Sequence, residues 1–164
     1  MSQAIDTVRL VCKRGLVLAP VAALLLSVAA LLLGNGLLGT LLIVRAGQEG
    51  FSSGAISAMM TFYFAGFTVG AFVLPRIIVS VGHVRTFAGF AAIASMTTLL
   101  HVAFVEPTAW MLLRLVTGFA YAGKILATES WLNAHAVQST RGQLLSIFGV
   151  VSMGSWAMGQ ALLN

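Results

Sequence analysis

Arg114 sits inside an otherwise apolar run, Trp110-Met-Leu-Leu-Arg-Leu-Val-Thr-Gly118. A guanidinium so placed can bind an anionic group through paired N–H donors, or couple to proton movement. Asn35 is the second polar interruption, between Gly34 and Gly36 in a leucine-rich stretch. An amide in hydrocarbon seeks a partner, for helix packing or for a ligand. Lys124, Glu129 and Arg141 follow further along and offer either a structured ion-pair network or a solvated face. The spacing fits no nucleotide loop, metalloprotease helix or nucleophile elbow. The single cysteine, Cys12, allows no internal disulfide, and no Cys/His cluster suggests a metal. His83, His101 and His135 lie far apart and read as satisfied polar groups rather than ligands. The serines and His101 show no nucleophile–base spacing, so neither an enzyme nor a cofactor is expected.

Elements made of such residues must live in lipid. Only 8% of the residues are charged and 59% are apolar, whereas a soluble domain devotes about a quarter of its residues to charge. The net charge of +5 comes from Lys and Arg scattered between apolar blocks. That pattern marks membrane topology and excludes the basic, aromatic-interleaved face of a nucleic-acid binder. Residues 1–15 read as a cytoplasmic N-terminal segment and 16–164 as a membrane domain. Five apolar blocks predict helices at about 16–44, 55–74, 86–105, 109–127 and 143–163. Each approaches the roughly 20 residues that cross a bilayer core. The first block runs from Leu16 to Val44 without a charge, too long for a signal peptide, so an uncleaved first helix is expected. No alternation of the kind a membrane barrel needs is present. The fold class expected is an all-α integral membrane bundle.

Charge counting orients it. Arg9, Lys13 and Arg14 precede the first helix, Arg76 and Arg85 fall in the second connection, and Arg141 in the fourth, with Lys124 near enough to snorkel to that side. The opposite side has Arg45 alone. The amino terminus is therefore expected in the cytoplasm. Arg114 then lies roughly 10 Å deep in the outer half, at 1.5 Å per residue. A central arginine costs about 2.5–3.5 kcal/mol to insert, which favours a place facing the bundle interior. Asn35 lies at similar depth and is the expected partner, with Gly118 one turn along leaving room beside the guanidinium. Gly66, Gly70 and Gly118 are expected at helix–helix contacts. Glu129, at the expected end of the fourth helix, needs a cation against the helix dipole. Arg85 is its first expected partner, with Arg76 and Arg141 as the others.

Three stretches resemble the major facilitator superfamily, within it a YcaD-like bacterial branch. Pro75-Arg-Ile-Ile-Val-Ser-Val-Gly-His-Val-Arg85 is similar to the signature loop between helices two and three, and Gly82 and Arg85 match. Arg114-Leu-Val-Thr-Gly118 is similar to the fourth-helix motif. Glu129-Ser-Trp-Leu-Asn133 with Arg141-Gly142 is similar to the branch's inner loop. Val79 and Ser80 stand where the loop normally has an acid and an arginine, Thr117 replaces a usual glutamine, and the fifth helix lacks the antiporter proline. The resemblance implies a secondary transporter of a small solute, with helices one and four lining the cavity. Arg114 and Asn35 would then serve substrate binding or proton coupling, and Gly82, Arg85, Glu129 and Arg141 an inner gate. That family is built from about twelve helices in two halves. Five helices thus imply an amino-terminal piece, inactive without the carboxy-terminal half. The alternative is a small multi-pass scaffold or subunit that transports nothing. Lipid and a small solute are the partners expected.

Overall fold

A computed structural model describes residues 2–136 and 138–163, with side chains from Val21 onward. Among them are five α-helices and no strand: α1 Ser2–Gln48, α2 Ser53–Val81, α3 His83–Ala103, α4 Pro107–His135 and α5 Arg141–Ala161. Val21–Gln48 of α1 and the whole of each other helix are long and apolar enough to cross a membrane. Helix is the conformation such segments must take, since an unpaired backbone group in lipid costs several kcal/mol. The chain is an all-α, multi-pass membrane bundle.

The helices outrun their apolar blocks. α1 starts at Ser2 and not near Leu16, because no proline or glycine between Ser2 and Arg14 interrupts the ladder. The side chains of Arg9, Cys12, Lys13 and Arg14 lie outside the described residues. α2 continues past Leu74 through Pro75 to Val81. A proline removes one ladder bond, and buried Ile78 anchors the last turns against the bundle. α4 passes Ala127 and ends at His135, held by fully buried Leu132 within the polar stretch. The connections are correspondingly short. Ser52 caps α2, its Oγ accepting from the Ala55 N–H at 3.2 Å. Pro107 occupies the first turn of α4, where its missing N–H is harmless. Gly82 alone joins α2 to α3 at φ 93°, a left-handed value that strains any residue with a Cβ.

α4 is the central helix: 56% of its most apolar stretch is buried, against 17% to 28% for the others. It packs on α2 and α3, while α1 packs chiefly on α5. Two glycine pairs set the closest crossings. A Cβ on Gly118 would strike the Tyr63 carbonyl, and one on Gly66 the Leu115 carbonyl, so α2 and α4 touch backbone to backbone. Gly159 against the Leu33 carbonyl and Gly36 against that of Trp156 repeat the arrangement between α1 and α5. Gly70 faces Ala122 of α4. Small residues allow this approach, and dispersion between close backbones holds it where no hydrophobic effect operates. Outward, Leu26, Phe72, Leu99 and Val150 are strongly exposed, an apolar coat that only lipid satisfies.

Candidate functional site

Arg114 is 3% exposed and turned into the bundle. Its Cζ lies 4.7 Å from the ring centroid of Tyr63 on α2. Its Nη2 is 3.7 Å from the thioether sulfur of Met60. Nε and Nη1 have no protein acceptor among the described residues. A cation–π contact contributes about 0.5–2 kcal/mol. Each buried donor left unsatisfied costs about 1–3 kcal/mol. The protein groups therefore do not offset the burial of this guanidinium. Beside it opens a cavity of about 80 Å³, lined by Asn35, Gly39, Thr40, Tyr63, Trp156 and others from α1, α2, α4 and α5. The room next to the guanidinium is at Gly39, where an added Cβ would come 3.6 Å from Nη2. It is not at Gly118, which is spent on the α2–α4 crossing.

Asn35, the expected partner, does not bond Arg114 directly. Its Nδ2 donates to the Tyr63 hydroxyl at 2.9 Å, and Tyr63 presents its ring to Arg114. Tyr63 is thus the element that joins the two, and the sequence reading missed it. A tyrosine among Met59, Met60, Phe62 and Phe64 resembles packing, yet its hydroxyl required a partner in hydrocarbon. Asn35 Oδ1 has no partner among the described residues. Asn35, Tyr63, Phe64 and Trp156 also line a second, larger cleft of about 240 Å³, with Leu32, Phe67, Ile125, Ser152 and Met153.

The opposite end of α4 departs from expectation. Arg85, Glu129 and Arg141 are exposed, and no ion pair links Glu129 to Arg76, Arg85 or Arg141. The one salt bridge among the described residues is Arg45–Glu49 at 3.5 Å, at the other end of the bundle. Glu129 is also not terminal: α4 continues to His135, a residue type that suits the negative end of a helix, so the dipole argument for a cation lapses. The link between the α2–α3 junction and α4 exists but uses neighbours. His83 Nε2 meets Ser130 Oγ at 2.9 Å. Gly82 serves this link through its backbone angle alone, since a Cβ there would meet nothing within 4 Å.

Lys124 does not snorkel. It is 3% exposed, its Nζ 3.2 Å from the ring centroid of Tyr121 one turn back, in an apolar wall of Val28, Leu31 and Phe87. Tyr121 is itself fixed by donating to the Leu31 carbonyl at 2.8 Å. His101 is buried, its Nδ1 2.6 Å from the Thr97 carbonyl. Thr117, where the resemblance expects glutamine, donates to Thr97 Oγ1 at 3.0 Å and ties α4 to α3. His135 stacks on Trp131 at 4.3 Å. No cluster of three metal-ligating side chains exists among the described residues.

Comparison with protein-family models, curated proteins and solved structures gives no match to this chain.

Proposed function

We propose that this bundle works in secondary transport of a small solute, as part of a transporter of the major facilitator type. The observation that carries the reading is Arg114: a buried guanidinium with two nitrogens lacking a protein acceptor, beside a cavity that four helices line. Intramembrane cations are costly and mark pathways or ligand sites when no acid offsets them. Asn35 and Tyr63 position it, and helices α1, α2 and α4 supply the polar groups. The setting proposed is a bacterial inner membrane with the amino terminus in the cytoplasm. With Lys124 buried, that orientation rests on Arg9, Lys13, Arg14, Arg76, Arg85 and Arg141 against Arg45. Reporter fusions after Arg45 and Pro107 should read external, and those after Arg85 and Arg141 cytoplasmic.

The test of function is uptake in cells that express the protein from its natural gene. Deleting the gene should abolish uptake of at least one small solute in a labelled panel. Restoring it as Arg114→Lys should return the protein to the membrane but leave uptake at least about tenfold low, because an ammonium lacks the planar fork. Uptake equal to wild type in both the lysine and alanine variants would remove Arg114 from the mechanism. A gene deletion that alters no uptake would favour the scaffold reading.

A further inference from the structure

We infer that the ligand of this site is an organic monoanion with an apolar body about the size of an aromatic ring, its carboxylate on Arg114 and its body in the adjoining cleft. The inference rests on Arg114 being the solute-binding group and adds the chemical class.

The sign and number of charges come from the lining. Among the described residues around the two cavities, Arg114 is the one group that carries full charge, and no carboxylate faces either space. A dianion would lack a second cation, and an amino acid's ammonium would lack an acceptor of opposite charge. One carboxylate can take the Nη1–Nη2 edge as a planar pair, since Nη1 has no protein partner and Nη2 meets only the Met60 thioether at 3.7 Å. The Tyr63 hydroxyl accepts from Asn35 and so keeps its own proton to donate.

The body follows from the cleft. The two spaces share Asn35, Tyr63, Phe64 and Trp156 as walls, so they lie side by side, and the proposed ligand spans them. That cleft holds about 240 Å³, and an apolar cavity of about 150 Å³ takes a benzene ring. Leu32, Phe67, Ile125 and Met153 provide apolar contact from all four helices. A strongly hydrated body, such as a sugar, would lose its water there to walls with few polar atoms.

The test titrates the detergent-solubilised chain calorimetrically with three probes: benzoate, acetate and benzyl alcohol. Benzoate should bind at least about tenfold more tightly than acetate, the worth of burying the ring. It should exceed benzyl alcohol, which lacks the charge, by a similar factor. Arg114→Gln should weaken benzoate at least about tenfold, with helicity by circular dichroism confirming the fold. If that variant does not fold, Arg114→Lys decides, with the same direction and a smaller loss. Ser152→Leu, which fills the cleft, should lower benzoate to the level of acetate and leave acetate unchanged. Acetate and benzoate binding equally, both through Arg114, would overturn the apolar body and leave Arg114 as an anion site. Benzoate binding equally to wild type and the Arg114 variant, or no binding of either anion, would overturn this ligand assignment, while the transport reading stands or falls on the uptake test.

Discussion

α4 buries two cations ten residues apart, Arg114 and Lys124, each 3% exposed and each over a tyrosine ring. Their surroundings differ in kind. The tyrosine under Arg114 comes from α2 and is steadied by Asn35 of α1, so three helices meet at the guanidinium. The tyrosine under Lys124 belongs to the same helix, three residues earlier, the natural spacing of helical neighbours. Space separates them further: about 80 Å³ opens beside Arg114, about 10 Å³ beside Lys124. A buried charge alone does not make a site. Both cations have donors without a protein partner; walls from several helices and adjoining space single out Arg114 as the candidate.

The largest expected effect breaks the Arg114 neighbourhood at its base. Gly118→Leu drives a side chain into the Tyr63 carbonyl and should cost about 3 kcal/mol, read as a lower thermal unfolding temperature in detergent. A native unfolding temperature would mean that α2 and α4 do not meet as described, and Tyr63 would have no reason to lie under Arg114. Next come the two tyrosines. Tyr63→Phe strands the Asn35 amide and should cost about 1–3 kcal/mol. Tyr121→Phe should cost only about 0.6 kcal/mol, because the Leu31 carbonyl keeps its bond within α1. Equal losses would erase the distinction between the two sites. Lys124→Met replaces an ammonium without an acceptor and should stabilise by about 0.5 kcal/mol, leaving benzoate affinity unchanged. A loss of affinity there would assign Lys124 to the ligand site as well. Smallest of all, Glu49→Ala opens a salt bridge whose side chains are 33% and 41% exposed and should shift stability by less than about 0.5 kcal/mol, with no effect on either neighbourhood.

The five helices were legible because lipid imposes a length and a hydropathy that no other fold requires. Their ends were not, because hydropathy reports immersion and the hydrogen-bond ladder continues past it: Glu129 to His135 is polar and helical. Arg114 stood out as a charge in an apolar run. Tyr63 did not, since an aromatic ring among apolar neighbours signals packing, and its role depends on Asn35, 28 residues away. The glycine crossings divide the same way. Gly66 and Gly70 share a four-residue spacing visible along one helix, whereas Gly36 meets α5 at Trp156 and Gln160, a pairing no local pattern encodes. At the His83–Ser130 link the sequence marked the right two segments and chose charges one or two residues off. A serine hydroxyl and an imidazole carry no long-range signal comparable to Arg85 and Glu129.

The single residue between α2 and α3 has a mechanical meaning. A loop of several residues absorbs displacement as a slack rope does. Gly82 gives no such length, so the end of α2 and the start of α3 stay one residue apart whatever the angle between them. His83, the first residue of α3, is pinned to Ser130 of α4. The end of α2, the head of α3 and the tail of α4 thus meet at one corner, joined by a one-residue connection and a single exposed hydrogen bond.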